Sequence, residues 1–302
     1  MSERSLLSLA KRKEDFEKYT RLLLPSFDQL SILNNKASVV KLLAELGLPH
    51  PVTYFVDSDH TLGSIQENAV FPMVIKPFWG EGAAGIKIVT DPNELVETYN
   101  YIVKTFGPSM IQEFVPGTKH TAVFLLNKKS EVRRFFVHRA IREFPITGGP
   151  TCFLRSVKYE PIYECGLKLL NKVNFTGLAS MEFIVDEKDG KPKIIDVNPR
   201  FYGPLQCAIS AGADFPFALY NMAVDGDIET DLSYKEGVTC RNLLFADTNH
   251  LMSVLRGMKS PKYTLGKFAT LGNYLNFFNN NSDFIFSFSD PFPGLKKIFK
   301  FI

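Results

Sequence analysis

KIIDVNPRFYG, residues 193–203, decides how the chain is read. It starts like a buried strand, with Ile194, Ile195 and Val197, yet carries Asp196, Asn198 and Arg200 at every second position. Side chains alternate faces along a strand, so a carboxylate, an amide and a guanidinium line one side. Upstream, GLASMEFIV and KPKIIDVN flank EKDGK, a turn-rich stretch containing Asp-Gly, which predicts a β-hairpin. With 186 opposite 192, residue 184 faces 194 and Glu182 faces Asp196. The other face then carries Met181, Phe183, Val185, Ile195 and Val197, all apolar. A slip of one residue would bury the charges, which supports this register. Directly opposed carboxylates, with Cβ atoms roughly 5 Å apart, destabilise a sheet unless something positive lies between them. Glu182, Asp196 and the amide oxygen of Asn198 form a hard, all-oxygen set suited to Mg²⁺, or Mn²⁺, shared with substrate phosphates. Taken alone, the hairpin is equally open to a solvated face whose charges pair with Lys or Arg.

The 302-residue chain is long enough for one large domain or two to three small ones. Its 45% hydrophobic and 22% charged content is ordinary for a globular protein. A net charge of +3 is too small to argue for nucleic acid. Cys152, Cys165, Cys207 and Cys240 are widely spaced with no C-x-x-C pair, which reads as reduced thiols and a cytoplasmic setting. The N-terminus is charged throughout, without the apolar core of a signal peptide. No run of about 18 apolar residues is present, so no membrane-spanning helix is expected. The 27 Phe, dense in RRFFVH and LNFFNNNSDFIFSFSD, read as β-rich core.

Helical periodicity covers 5–24 and 34–47, the second helix capped by Asn34 or Asn35 and followed by Gly47. VTYFV is a short strand, 70–76 and 86–89 are strands, and DPNELVETYNYIVKTFG is a helix capped by Asp91 with Pro92 at its first position. Strands follow at 110–115, 121–126 and 131–138, then an arginine- and glycine-bearing loop at 139–156. A helix over EPIYECGLKLLNKVN precedes the hairpin strands at 177–185 and 192–197, and one or two helices occupy 204–225. Helix pairs mixed with antiparallel hairpins argue for an α+β fold.

PMVIKPFWGEGAAGIKIV places Gly80, Gly82 and Gly85 in G-x-G-x-x-G spacing. A dinucleotide fold needs a helix after such a loop. Here IKIV reads as a strand, so the segment is a strand–loop–strand flap whose backbone N–H groups can close over phosphates. Lys76, ending the strand before it, supplies a point charge for those phosphates. A plain hairpin loop with an ordinary strand-end lysine is the structural alternative.

The lysine and glycine loop, then MIQEFVPG, then SMEF and IIDVNPR, in that order, resemble the ATP-grasp superfamily, in particular the carbamoyl-phosphate synthase large chains and biotin carboxylase. The resemblance covers about residues 34–225. It implies two α+β lobes clamping ATP, and Mg²⁺-assisted transfer of the γ-phosphate to a carboxylate, giving an acyl phosphate that an amine attacks. By motif match, Lys36 resembles the lysine opening the ATP region, Lys76 the one at the α/β phosphates, and Gly80, Gly82, Ala83, Ala84 and Gly85 the phosphate flap. Glu113, Phe114 and Val115 resemble the hinge at the adenine and ribose. Glu182, Asp196 and Asn198 resemble the metal ligands, and Arg200 the arginine that stabilises the transferring phosphoryl group. Asp196 departs from the family pattern, which more often has Glu there. The loop HRAIREFPITGGPTCFLRS resembles the segment beside the acceptor site of carboxylate–amine ligases, with Arg139 and Arg142 as candidates for holding a substrate carboxylate.

These resemblances divide the chain into 1–33, a remnant helix of a pre-ATP-grasp α/β domain that is otherwise largely absent; 34–115, a first lobe with the flap; and 116–302, a second lobe with the metal site and a C-terminal extension. A separate chain could supply the missing domain, and a homodimer is an open arrangement. PGLKKIFKFI places Leu295, Ile298, Phe299 and Ile302 at helical spacing opposite three lysines, a short amphipathic turn expected to dock on the protein's own core. A non-catalytic ATP-binding subunit, or an interaction protein on the same scaffold, competes with the ligase reading.

Overall fold

The computed structural model describes residues 3–58, 60–80, 82–258, 265–275, 282–287 and 290–299. Its strands are β1 (Thr53–Phe55), β2 (Met73–Pro77), β3 (Lys87–Val89), β4 (Ser109–Glu113), β5 (Gly117–Leu126), β6 (Val132–Glu143), β7 (Thr151–Ser156), β8 (Gly177–Asp186), β9 (Pro192–Asn198), β10 (Thr239–Arg241) and β11 (Ser282–Asp283). They form a four-stranded sheet, β1-β4-β2-β3, and a seven-stranded one, β11-β10-β7-β6-β5-β8-β9. Every pairing is antiparallel except β10 with β11.

Alternation along β5 explains the layering of the large sheet. Ala122, Phe124 and Leu126 point to one face, where Val39 and Leu43 of the helix Lys36–Glu45 and Ile162, Leu169 and Leu170 of the helix Glu160–Lys172 cover them. Val123 and Leu125 point to the other face, under the helices Leu205–Ala211 and Phe215–Val224. That second cover stops short of the sheet's end. Beyond it, the same face carries Lys119, Thr121, His138, Ser180 and Glu182, which look across a cavity to Val74 and Lys76 of the small sheet. The small sheet's opposite face packs Met73, Ile75, Val89 and Ile111 against Ile65, Leu95 and Ile102 of its two helices.

The helix Lys36–Glu45 begins as its sequence predicts: the Asn35 side chain accepts from the Ala37 and Ser38 N–H groups, and Gly47 follows in the left-handed region at φ 62°. Three expectations need correction. The helix expected over 5–24 is two short ones, Glu3–Lys11 and Lys13–Glu17, and they stop short of 24, where Leu23 packs in the large-sheet core and Pro25 disfavours helix at the residue before it. The loop expected over 139–156 is mostly strand: β6 runs to Glu143 and β7 starts at Thr151, with irregular pairing between Ala140 and Glu143 that breaks the alternation a reader would look for. In the C-terminal helix Phe292–Phe299, Leu295 is exposed rather than docked, while Lys300 and Ile302 lie outside the described residues. RRFFVH does supply core through Phe135 and Phe136, but much of LNFFNNNSDFIFSFSD lies outside the described residues.

Candidate active site

The hairpin β8–β9 brings Glu182 opposite Asp196, as expected, but by a different route. Its turn closes one residue earlier: the Asp186 N–H donates to the Lys191 carbonyl at 3.0 Å, and Val185 pairs with Pro192. In that register Phe183 faces Ile194. A β-bulge at Ile195 then restores the pairing of Glu182 with Asp196 and of Ser180 with Asn198. The expected pairing of 184 with 194 and the placement of Ile195 on the apolar face are therefore corrected. Ile194 joins Phe183, Met181 and Val197 in the core, while Ile195 turns to the cavity beside Asp196. A bulge sets two residues against one on the partner strand, which is how both face the same way.

Opposed carboxylates need positive charge between or beside them, and lysines supply it. Lys36 Nζ lies 3.1 Å from Asp196 Oδ1 and 3.2 Å from the Gly80 carbonyl oxygen. Lys119 Nζ lies 2.9 Å from Glu182 Oε2, 3.3 Å from Glu143 Oε1 and 3.4 Å from the Gly149 carbonyl oxygen. Burial would raise the Glu182 carboxyl, but Lys119, by charge and hydrogen bond, with Lys76 and Lys36 behind it, holds it below the ordinary glutamate range. Burial would likewise lower Lys119, and its two carboxylates instead lift it above the ordinary lysine range. Buried Lys76 donates to the Ile195 carbonyl oxygen at 3.5 Å, so the first strand's lysine reaches the bulge itself. Asn198 Oδ1 accepts from Arg200 at 3.2 Å, and Arg200 Nε lies 3.3 Å from Glu3 Oε1.

Of these residues all but Glu3 and Gly80 line one cavity of about 930 Å³ between the sheets. The expected flap is there as a strand–loop–strand: Gly82 and Ala83 line the cavity, and Gly80, Gly82, Ala83 and Gly85 all have positive φ. Gly85 cannot be replaced cheaply, since a Cβ there would sit 2.7 Å from Pro77 Cγ and 2.9 Å from Phe106 Cγ. At the expected hinge, Glu113, Phe114 and Val115 line the cavity. The Glu113 and Phe114 N–H groups already donate to the Val52 and Pro72 carbonyls, leaving the Val115 N–H without a partner among the described residues. The Glu113 carboxylate is 2.5 Å from Lys193 Nζ, which also holds Asp186 at 3.0 Å.

Two expected residues are not brought to the site. Arg139 is exposed and does not line the cavity, and Arg142, 4% exposed, is locked on Asp247 at 2.5 and 2.9 Å. The irregular pairing of β6 turns Glu143 into the cavity beside Lys119 instead. Lys119, Glu143, Lys193, His138 and Tyr202 were not foreseen. Lys119 and Thr121 had a signal: they share strand parity with Val123 and Leu125 in GTKHTAVFLL.

The donor set fits a divalent cation. Glu182 and Asp196 each hold an ammonium at single-contact distance, so the spot already draws positive charge, and Asn198 adds an amide oxygen. Among the described residues no cluster of three or more His, Cys, Asp or Glu forms an alternative metal site. Two carboxylates and an amide leave the remaining ligands to phosphates and water, as Mg²⁺ prefers.

A glycine-rich loop, cavity-facing lysines and a carboxylate pair lie between the two sheets, the arrangement of a nucleotide-clamping fold. Residues 33–204 match the ATP-grasp domain model, and the chain belongs to the ATP-grasp family. It is 26% identical over 187 residues to the carbamoyl phosphate synthase arginine-specific large chain of Bacillus subtilis, covering 59% of this chain and 18% of that protein. It is 22% identical to the D-aspartate ligase of Enterococcus faecium over 64% of this chain and 50% of the relative. The fold matches the biotin carboxylase domain of Hydrogenobacter thermophilus 2-oxoglutarate carboxylase, solved as a dimer with MgADP, ADP and bicarbonate, at a TM-score of 0.64 and 20% identity over 77% of this chain and 54% of that one. The chain thus spans about half, or less, of the length of these relatives. Among the described residues no helix is long and apolar enough to cross a membrane.

Proposed function

We propose that the protein is an ATP- and Mg²⁺-dependent ligase that activates a carboxylate as an acyl phosphate for attack by an amine. The observation that carries this reading is the facing pair Glu182 and Asp196, set in one cavity wall with Lys36, Lys76, Asn198 and Arg200. Glu182, Asp196 and Asn198 would hold the cation, which when bound neutralises charge on the phosphates and orients them. Lys76 and Lys36 would bind phosphate oxygens, and the flap from Gly80 to Gly85 would cover them and exclude water. Val115 would offer its free backbone N–H to the adenine edge, with Glu113 beside the ribose. Arg200 would stabilise negative charge on the phosphoryl group as it transfers, a preorganised donor of the kind that dominates such reactions. The reading extends to Mn²⁺ as a substitute metal, to small carboxylic acid and amine substrates, and to a cytoplasmic setting.

The test is the full chain with Mg·ATP, a panel of carboxylic acids, and hydroxylamine as acceptor. Hydroxamate and ADP appearing together for at least one acid class support a ligase. ADP-free ATP binding across the panel, unchanged in Arg200→Ala, would instead identify a non-catalytic nucleotide-binding subunit.

A further inference from the structure

One row across the large sheet runs Asp196, Glu182, Thr121, His138, each directly paired with the next on β9, β8, β5 and β6. Paired residues point to the same face, so the row is a line of side chains along the cavity wall. Neighbouring strands lie about 4.8 Å apart, which places His138 roughly 10 Å from the Glu182 position. A cation on the carboxylates, a phosphoryl group, an acyl carbon and the atom that attacks it would together fill that gap.

The far end of this row is chemically unfinished. His138 is 1% exposed and Tyr202 8%, and both line the cavity. Their rings stack, with centroids 5.7 Å apart and planes 16° apart. Neither ring nitrogen of His138 nor the Tyr202 hydroxyl has a hydrogen-bond partner among the described residues. Leaving a buried polar atom unpaired costs about 1–3 kcal/mol, so three together on a cavity wall mark a place built to be completed by a ligand.

The charges nearby say which ligand. Burial, then the charges of His120 and Lys119, push His138 down to about 3, so the ring is a neutral imidazole with one N–H and one accepting nitrogen. Burial also raises the Tyr202 hydroxyl, which stays a neutral donor and acceptor. Lys119 is committed to Glu182 and Glu143, Arg142 to Asp247, and Arg139 points to solvent. The same cavity is also lined by the uncharged Asn242, Ala246, Phe284, Ile285, Gly148 and Gly149. Arg200, which lines the same cavity, is held by Glu3 and Asn198, so among the described residues Lys119, Arg142 and Arg200 are each already paired.

We infer that the His138–Tyr202 pair is the subsite for the acceptor amine, that His138 and Tyr202 hydrogen-bond its N–H groups, and that the acceptor carries no anionic group beside the nucleophile. This rests on the ligase reading above. In the step served, the amine nitrogen forms the C–N bond, the C–O bond to phosphate breaks with its electron pair leaving on inorganic phosphate, and that phosphate takes the surplus proton. His138 is a positioning group here, too weak a base to hold the proton itself.

The test uses the full chain labelled with ¹⁵N at histidine, in the presence of Mg·ATP, with the His138 resonances identified by their loss in His138→Gln. Glycinamide, leucinamide and a primary alkylamine are titrated against aspartate and glutamate. The inference expects at least one amine without an anion to move the His138 ring resonances saturably, the dicarboxylates to leave them unmoved, and Tyr202→Phe to weaken the response roughly tenfold. If Mg·ATP raises the melting temperature yet no amine moves these resonances, or the dicarboxylates move them as strongly, the inference fails alone. If Mg·ATP does not stabilise the protein, the ligase reading fails and takes the inference with it.

Discussion

Two charge clusters in this protein use similar groups to opposite ends. In the first, Asp247 accepts four hydrogen bonds from Arg142 and Arg241 at 2.5–2.9 Å, with both guanidiniums lying over the Phe153 ring. The three residues are between 0 and 4% exposed. The second is the cavity row, where Asp196 and Glu182 each meet one ammonium and stay partly exposed. Two guanidinium forks saturate a carboxylate; a single ammonium does not. The first cluster is closed and holds the segment after β10 against β6. In the second, Glu182 meets one ammonium, and Asp196 meets one ammonium, the Val197 N–H at 3.1 Å and the Asn198 amide at 3.4 Å, a looser set than two guanidinium forks, where the proposed metal–phosphate complex would bind.

The largest expected effect breaks the closed cluster. Asp247→Ala leaves two guanidiniums buried with no carboxylate between them and is expected to cost about 3–5 kcal/mol, read as a fall in melting temperature. A fall no larger than that of a surface substitution would show that the cluster is not a dry structural tie. Next comes the open site. Arg200→Ala is expected to lower the rate of ADP formation about 10²–10³-fold while leaving the melting temperature nearly unchanged, because its bonds to Glu3 and Asn198 are partly exposed. A rate within a few-fold of the parent would remove Arg200 from the chemistry.

Smaller effects sharpen the contrast. Gly85→Ala forces a side chain into the left-handed region at φ 74° against Pro77 and Phe106, and is expected to destabilise by about 1–3 kcal/mol and to weaken Mg·ATP binding through the flap. An alanine variant of parent stability and affinity would show that the loop can shift at no cost. The smallest effect is in pH. Glu182 is depressed, so the stability from its pairing with Lys119 is present above the unfolded carboxyl value and is lost only as pH falls below the ordinary glutamate range. Lys119 is raised, so its share is present below the unfolded lysine value and persists until pH passes above the ordinary lysine range. The Glu182 side-chain carboxyl, followed by ¹³C NMR, should therefore titrate lower than an exposed glutamate; a midpoint at or above it would contradict the pairing.

What the sequence made legible, and what it hid, follows from chain distance. The hairpin partners Glu182 and Asp196 are joined by a short turn, so their pairing was readable from parity and a turn signal. The register leading to it was not, because the earlier turn closure and the Ile195 bulge cancel, and a bulge leaves no trace in an Ile-Ile pair. The flap and Lys76 were readable because glycine spacing and a strand end are local. Lys119, His138 and Tyr202 reach the site only through pairings of β5 with β8 and β6 and through packing, over separations that periodicity does not encode. Arg142 was misplaced for the same reason: its partner Asp247 is 105 residues away, and a guanidinium that suits a substrate carboxylate suits a buried aspartate equally well.

The most direct test measures ATP affinity by calorimetry with and without Mg²⁺, in the parent and in the double variant Glu182→Gln with Asp196→Asn. The parent should bind ATP more tightly when Mg²⁺ is present, and that gain should vanish in the double variant while metal-free binding persists. An equal gain from Mg²⁺ in both proteins would place the metal elsewhere and overturn the site.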